Sequence, residues 1–185
     1  MLKIEKQKLK RKLTPSKNFF LSLASSIIYQ QISTKAGDSI YKKFLKLFGR
    51  KKPTPKLLLE IFEKDLRSAG LSNQKLSYLK DLARKLLDRT IDPRLFQKMS
   101  DEEVKSHLTQ VKGIGPWTAD MFLIFALNRP NVLPVGDLGI AKGFQRVFKL
   151  KSIPSEKTMI KLAKPYYQRH TFLSLYLWES IDERK

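Results

Sequence analysis

Cysteine is absent from the 185 residues, which excludes disulfides, thiolate zinc sites and cysteine-held iron–sulfur clusters. Histidine occurs only at His107 and His170, too few for a histidine-based metal centre. No uninterrupted apolar run is long enough to span a bilayer; the longest candidate, near residues 121–127, is short and soon followed by Arg129. The N-terminal MLKIEKQKLKRK lacks the apolar core of a signal peptide. A soluble, intracellular protein with no membrane partner is expected. Period-two alternation is nowhere sustained, so strands are not expected and the fold class is all-α.

Acidic residues are also scarce. Thirty-seven Lys plus Arg stand against 17 Asp plus Glu, a formal charge of +20. A chain this basic repels itself and finds its natural partners among polyanions, although a lysine-rich surface also serves solubility alone. The basic residues 1–15 read equally as an arm laid on a polyanion or as a solvated tail. The chain is long enough to bury roughly 70% of its unfolded surface. No repeat or linker divides it, so residues 1–185 are expected to form a single domain around an internal cleft.

Helix signals punctuate the whole length. Ser16 is a candidate cap for a helix carrying Phe19, Phe20, Leu23, Ala24, Ile27 and Ile28 at helical spacing, and it ends near residues 30–32. Thr34 is the candidate cap of the next, which buries Ile40, Phe44, Leu47 and Phe48 and stops at Gly49. Thr54-Pro55 starts a helix expected to reach residue 64, with a short turn over 66–69 closed by Gly70. Ser72 begins an amphipathic helix through Leu76, Leu79, Leu82, Ala83, Leu86 and Leu87. Asp92-Pro93 predicts a short helix, and Ser100 with Glu103 forms a capping box for another over 101–110. Further helices are expected over 138–148, from Ser155 to residue 163, and over 171–181.

The informative stretch is residues 111–140, VKGIGPWTADMFLIFALNRPNVLPVGDLGI. A turn with Gly113 and Gly115 enters a helix at Pro116, so residues 101–128 read as helix, glycine turn, helix. Amides at such a helix start lack intrahelical partners and can meet a phosphate; an ordinary αα-hairpin has the same spacing. On the second loop, Asp137 is either a plain N-cap or a lone reactive carboxylate.

V-K-G-I-G-P-W-T-A at 111–119 followed by L-P-V-G-D-L-G at 133–139 resembles the helix-hairpin-helix, Gly/Pro-rich loop and aspartate superfamily of DNA glycosylases, in its DNA-3-methyladenine glycosylase II branch. The resemblance extends back through S-I-I-Y-Q-Q-I-S at 26–33 and A-G-L-S at 69–72 and forward to Tyr176, Leu177 and Trp178. It implies a two-lobed helical bundle with a central cleft and Asp137 as the catalytic aspartate. A fixed carboxylate suits the positive charge that builds on the sugar as an N-glycosidic bond breaks.

Members of that superfamily that also cut the strand, such as endonuclease III, carry a Schiff-base lysine where this chain has Trp117. A monofunctional enzyme that uses water and leaves an abasic site is therefore implied. Lys112 precedes the motif position and faces phosphate or solvent. Trp117 and Met121, with Tyr29 and Trp178, are the expected base pocket, since a cationic alkylated purine is attracted to an aromatic face; core packing is the alternative for each. Gln30, Gln31 and Ile32 match the wedge that fills the gap left by the extracted nucleotide. Gly113, Gly115, Thr118 and Lys112 are the expected phosphate contacts, and Lys42, Lys43, Lys46, Lys142 and Arg146 are further cations for DNA. No cofactor is required by the resemblance. A Na or K ion held by the backbone carbonyls of Thr109, Val111 and Ile114 would map to the hairpin.

The chain departs from the family at Gln31, where an apolar residue is familiar, and at Y-Y-Q-R-H over 166–170, where many relatives have Trp followed by Pro-Tyr-Arg. The reading that follows is base excision repair of alkylated purines in double-stranded DNA by a monomer. Its setting would be the nucleoid-containing cytoplasm of a bacterium or the nucleus of a eukaryote. The alternatives are a glycosylase for oxidised or deaminated bases, and an inactive helix-hairpin-helix DNA-binding protein.

Overall fold

The computed structural model describes residues 13–182, so most of the basic N-terminal arm lies outside the described residues. Among those residues there are ten α-helices and no strand. No helix among them is long and apolar enough to cross a membrane. Packing divides the described residues into two compact units, residues 16–122 and a second that contains residues 123–182.

The 16–122 unit begins with α1 (Phe19–Tyr29), whose Leu23, Ala24, Ile27 and Ile28 are fully buried, the stripe its spacing predicts. Its cap is Asn18 rather than Ser16. The Asn18 amide accepts from the Leu21 N–H (3.0 Å) and donates to the Pro53 carbonyl (3.2 Å), a double duty that serine cannot perform. Ser16 is instead occupied with Ser22 and the Asn18 backbone. Helix α2 (Thr34–Lys46) is capped by Ser33, one residue earlier than expected, because Ser33 is the extended residue whose hydroxyl reaches the Ala36 N–H.

The helix expected over 55–64 is two: α3 (Pro55–Glu60) and α4 (Glu63–Ser68), separated by Ile61 and Phe62 in extended conformation. Helix α5 (Asn73–Leu87) starts at the Ser72 cap as read and buries Leu76, Leu79, Leu82 and Ala83 against this core. The short helix expected at Asp92-Pro93 is a run of turns. Asp92 accepts from its own chain at the Arg94 N–H (3.1 Å) and pairs with the Arg94 guanidinium, a local bond that competes with helix. Phe96 from this segment forms an aromatic cluster with Phe19 and Phe122. The capping box at Ser100 and Glu103 is present and opens α6 (Asp101–Leu108), two residues shorter than read.

Helix α7 (Pro116–Phe125) begins in this unit and ends in the next. In the second unit, α8 (Leu138–Val147), α9 (Glu156–Ala163), a 3-10 turn (Lys164–Tyr166) and α10 (His170–Asp182) surround Ile140, Phe144, Met159, Tyr166, Leu173 and Leu177. Gly143 lets α8 approach α10, since a Cβ there would lie 2.7 Å from the Leu177 Cβ and carbonyl oxygen. The start of α10 is tied to the preceding loop through buried polar groups. Thr171 donates to the Arg129 carbonyl and accepts from the Val132 N–H, and Ser174 donates to the Val132 carbonyl. The departure region at 166–170 divides: Tyr166 is core and Tyr167 is exposed.

Candidate functional site

In the second unit, Asp137 ends the loop of Pro134 and Gly136 and caps α8, as either sequence reading requires. Its Oδ1 accepts from the Ile140 N–H at 2.8 Å and from the indole Nε1 of Trp178 at 2.9 Å. The first bond is the price of being a cap; the second is not needed for one. The indole stacks on Phe125 at 5.9 Å and 25°, so the donor is itself fixed. Gly139 supplies the clearance, because a Cβ there would fall 2.9 Å from the Asp137 Oδ1 and 3.0 Å from the Trp178 Cδ1. Trp178, expected as a pocket wall, is thus first a partner of the carboxylate. Sequence reasoning missed this pairing and Gly139; neither has a local pattern that announces it.

In the 16–122 unit, the hairpin turn joins α6 to α7. The Val111 N–H donates to the Leu108 carbonyl and the Ile114 N–H to the Val111 carbonyl, both at 3.0 Å. Gly113 sits at φ +79°, a conformation that costs glycine nothing. A Cβ on it would lie 2.0 Å from the Tyr78 ring. Gly115 has neither constraint, so it fits a close external approach better than an internal one. Gly113→Ala is expected to destabilise the protein by about 2–4 kcal/mol, combining left-handed strain with overpacking on Tyr78. Urea unfolding measures it, and a loss under about 1 kcal/mol would mean that the turn relaxes freely.

The remaining expected residues sort by what their side chains touch. Trp117 is 47% exposed on the first turn of α7, with Met121 half-buried one turn later, so the indole is not wholly spent on the core. The Thr118 side chain is buried, 3.5 Å from the Gln30 amide nitrogen, so the phosphate contact expected of this residue falls to its backbone N–H. The Lys112 side chain is exposed, while its N–H is taken by the Asp81 carboxylate at 2.8 Å.

Gln30, expected in the wedge, has an internal partner. Its amide donates to the Gly113 carbonyl at 2.8 Å, which ties the end of α1 to the hairpin. Gln31 is the displayed residue of the loop, exposed and at φ +57°, a region that side-chain-bearing residues enter at a cost of about 1 kcal/mol or more. Ile32 is half-buried beside it. The Tyr29 hydroxyl donates to Asp38 at 2.6 Å, and this bond to a carboxylate, with some desolvation, pushes its pKa up to about 12. Tyr29 therefore meets any ligand through its ring and not as a free hydroxyl. Inside the hairpin, Lys105 of α6 pairs with buried Asp120 of α7 at 2.6 Å. Burial pushes the Asp120 carboxyl up against the opposing pull of Lys105.

The glycine turn that opens α7 and the Gly/Pro loop that ends at the helix-capping Asp137 are the two motifs that carry the resemblance. The model of the HhH-GPD superfamily base excision DNA repair protein matches residues 24–168. The chain belongs to that superfamily. A Saccharomyces cerevisiae DNA-3-methyladenine glycosylase is 38% identical over 179 residues, covering 90% of this chain and 58% of the relative. The chain thus spans less than two thirds of that protein's length. A Bacillus halodurans DNA-3-methyladenine glycosidase structure superimposes with TM-score 0.86 at 33% identity, covering 94% of this chain and 82% of that one. The Schizosaccharomyces pombe 3-methyladenine DNA glycosylase in complex with abasic DNA gives 0.84 at 29%, covering 95% and 87%. The two helices of its hairpin are α6 and α7, over residues 101–125, shorter than the expected 101–128, and the loop before α8 ends at Asp137.

Proposed function

We propose that this HhH-GPD chain is a monofunctional DNA glycosylase that hydrolyses the N-glycosidic bond of alkylated purines of the 3-methyladenine and 7-methylguanine type. The observation that carries the reading is Asp137, a carboxylate fixed by two donors where a bare cap needs one. The relatives named as 3-methyladenine glycosylases, and the abasic DNA bound to one of them, support the substrate class.

In the reaction, the bond between the sugar C1′ and the base nitrogen breaks with its electron pair going to the base. An N-alkylated purine is already cationic and leaves neutral, so no general acid is needed at the base. The positive charge left on C1′ and the ring oxygen is stabilised by the Asp137 carboxylate, preoriented by Trp178 and the α8 amide. Water then adds to C1′, loses its proton and leaves an abasic sugar. Trp117 presents its π-face to the cationic base, an attraction that disappears when the base is neutral. With tryptophan in place of an amine at this position, no Schiff base forms and the strand stays intact.

The hairpin presents backbone amides to a phosphate and carries no base information. The carbonyls of Thr109, Val111 and Ile114 are hard oxygen donors of the type that alkali cations take. A Na or K ion there would add positive charge to the turn. Gln31 is the residue of the 30–32 loop best displayed to fill the gap in the duplex.

The test is a set of oligonucleotide duplexes, each with a single lesion, 7-methylguanine in one and an oxidised or a deaminated base in the others. Wild type is expected to yield strand breaks only after alkali. Breaks without alkali would indicate lyase chemistry, release of only an oxidised or deaminated base would shift the substrate class, and binding without release of any base would end the enzymatic reading.

A further inference from the structure

We propose that α5 is the positioning element of the hairpin turn, with Asp81 and Lys85 setting how the turn's amides meet a DNA phosphate; this rests on the DNA-binding role of the hairpin proposed above. Tyr78, Asp81 and Lys85 lie at i, i+3 and i+7, on one face of α5. Each engages a different residue of the turn. The Tyr78 ring fills the space left by the missing Cβ of Gly113. Asp81 Oδ2 accepts from the Lys112 N–H at 2.8 Å and from the Lys85 ammonium at 2.9 Å, and Lys85 also donates to the Gln110 carbonyl.

Stability alone does not call for this arrangement. The turn is already closed by its own bonds to Leu108 and Val111, and a Lys112 amide at an exposed position could bond to water. A carboxylate beside a phosphate-binding turn would also repel DNA. Lys85 offsets that charge at 2.9 Å, so Asp81 can fix the turn with little repulsion. Burial opposes ionisation of Asp81, but the Lys112 amide and the Lys85 ammonium outweigh it and hold its carboxyl below the usual value. These partners favour the ionised, accepting form of Asp81. With the Lys112 amide consumed from behind, the donors left to a phosphate are those further along the turn and at the start of α7.

The experiment compares wild type with Asp81→Asn, Lys85→Met and Lys85→Arg. Fluorescence anisotropy measures binding to a duplex carrying a tetrahydrofuran abasic analogue, and single-turnover release of 7-methylguanine is followed at saturating protein. Asp81→Asn and Lys85→Met are expected to weaken binding roughly tenfold, the scale of one lost charged hydrogen bond. The loss should appear in Kd rather than in the saturated rate. Lys85→Arg keeps the charge and both donors and should bind within about threefold of wild type. Unchanged Kd in Lys85→Met overturns the proposal. So does a parallel loss of affinity, saturated rate and melting temperature that arginine fails to rescue, since that pattern is structural. Should Asp81→Asn not fold, the two Lys85 variants decide alone. A wild type that does not bind duplex overturns the underlying reading and this one with it, whereas wild-type binding with indifferent variants removes only this one.

Discussion

Asp137→Asn is expected to lower the single-turnover rate of 7-methylguanine release by on the order of 10³-fold while leaving the fold and DNA affinity nearly intact. The substitution separates the two jobs of one side chain. Asparagine is as good an N-cap as aspartate, and its amide oxygen can keep accepting from the Ile140 N–H and the Trp178 indole. What vanishes is the negative charge that faces the developing sugar cation. Asp137→Ala would confound the result, because it also removes a cap worth about 1 kcal/mol and strands the Trp178 N–H. A release rate within about tenfold of wild type, with an unchanged melting temperature, would place the catalytic charge elsewhere. Trp178→Phe is the companion variant: it keeps an aromatic ring beside Phe125 and deletes the donor to Oδ1, so it reports on the orientation of the carboxylate without removing its charge.

The distance over which each feature is encoded decides how legible it was. The GIGPW turn, the Asp137 cap and the capping box at Ser100 and Glu103 are written within a few residues, because helix starts use local side chain–backbone bonds. All-α architecture follows likewise from spacing along single helices. Errors at the caps of α1 and α2 arose where several hydroxyl and amide side chains compete, and only the Pro53 carbonyl, 35 residues away, favours Asn18 over Ser16. The site's supports are encoded at longer range still. Trp178 reaches Asp137 across 41 residues and Gln30 reaches Gly113 across 83. Neither pairing follows from periodicity, so a glutamine read as a wedge and a tryptophan read as a pocket wall became supports. Thr118 shows the same limit from the other side: helix position predicts its free amide, but only packing reveals that its hydroxyl is buried.

Affinity for undamaged duplex is expected to fall by at least about 10³-fold between about 50 and 200 mM salt, as six or more neutralised phosphates imply. The +20 charge makes this slope available, and cations already bonded within the protein are the weaker candidates to supply it. Lys75, Lys85 and Arg146 are committed to the carbonyls of Ile28, Gln110 and Ser180, and Lys105 is paired with Asp120. Lys42, Lys43, Lys46, Arg50, Lys51 and Lys52 are exposed along and just beyond α2, and Lys142 is exposed on α8. The hairpin amides are a different kind of contact: uncharged donors release no counterion, so they add affinity without slope. The two contributions therefore separate in one plot of log affinity against log salt. Lys42→Glu with Lys46→Glu should flatten the line by about one unit of slope per lysine that touches a phosphate. Gly113→Ala, where it folds, should lower the line without tilting it. A wild-type slope near zero would mean that the excess charge serves solubility. A lysine pair that shifts the intercept alone would remove α2 from the DNA-binding surface, and the phosphate contacts would then have to come from the hairpin and from α8.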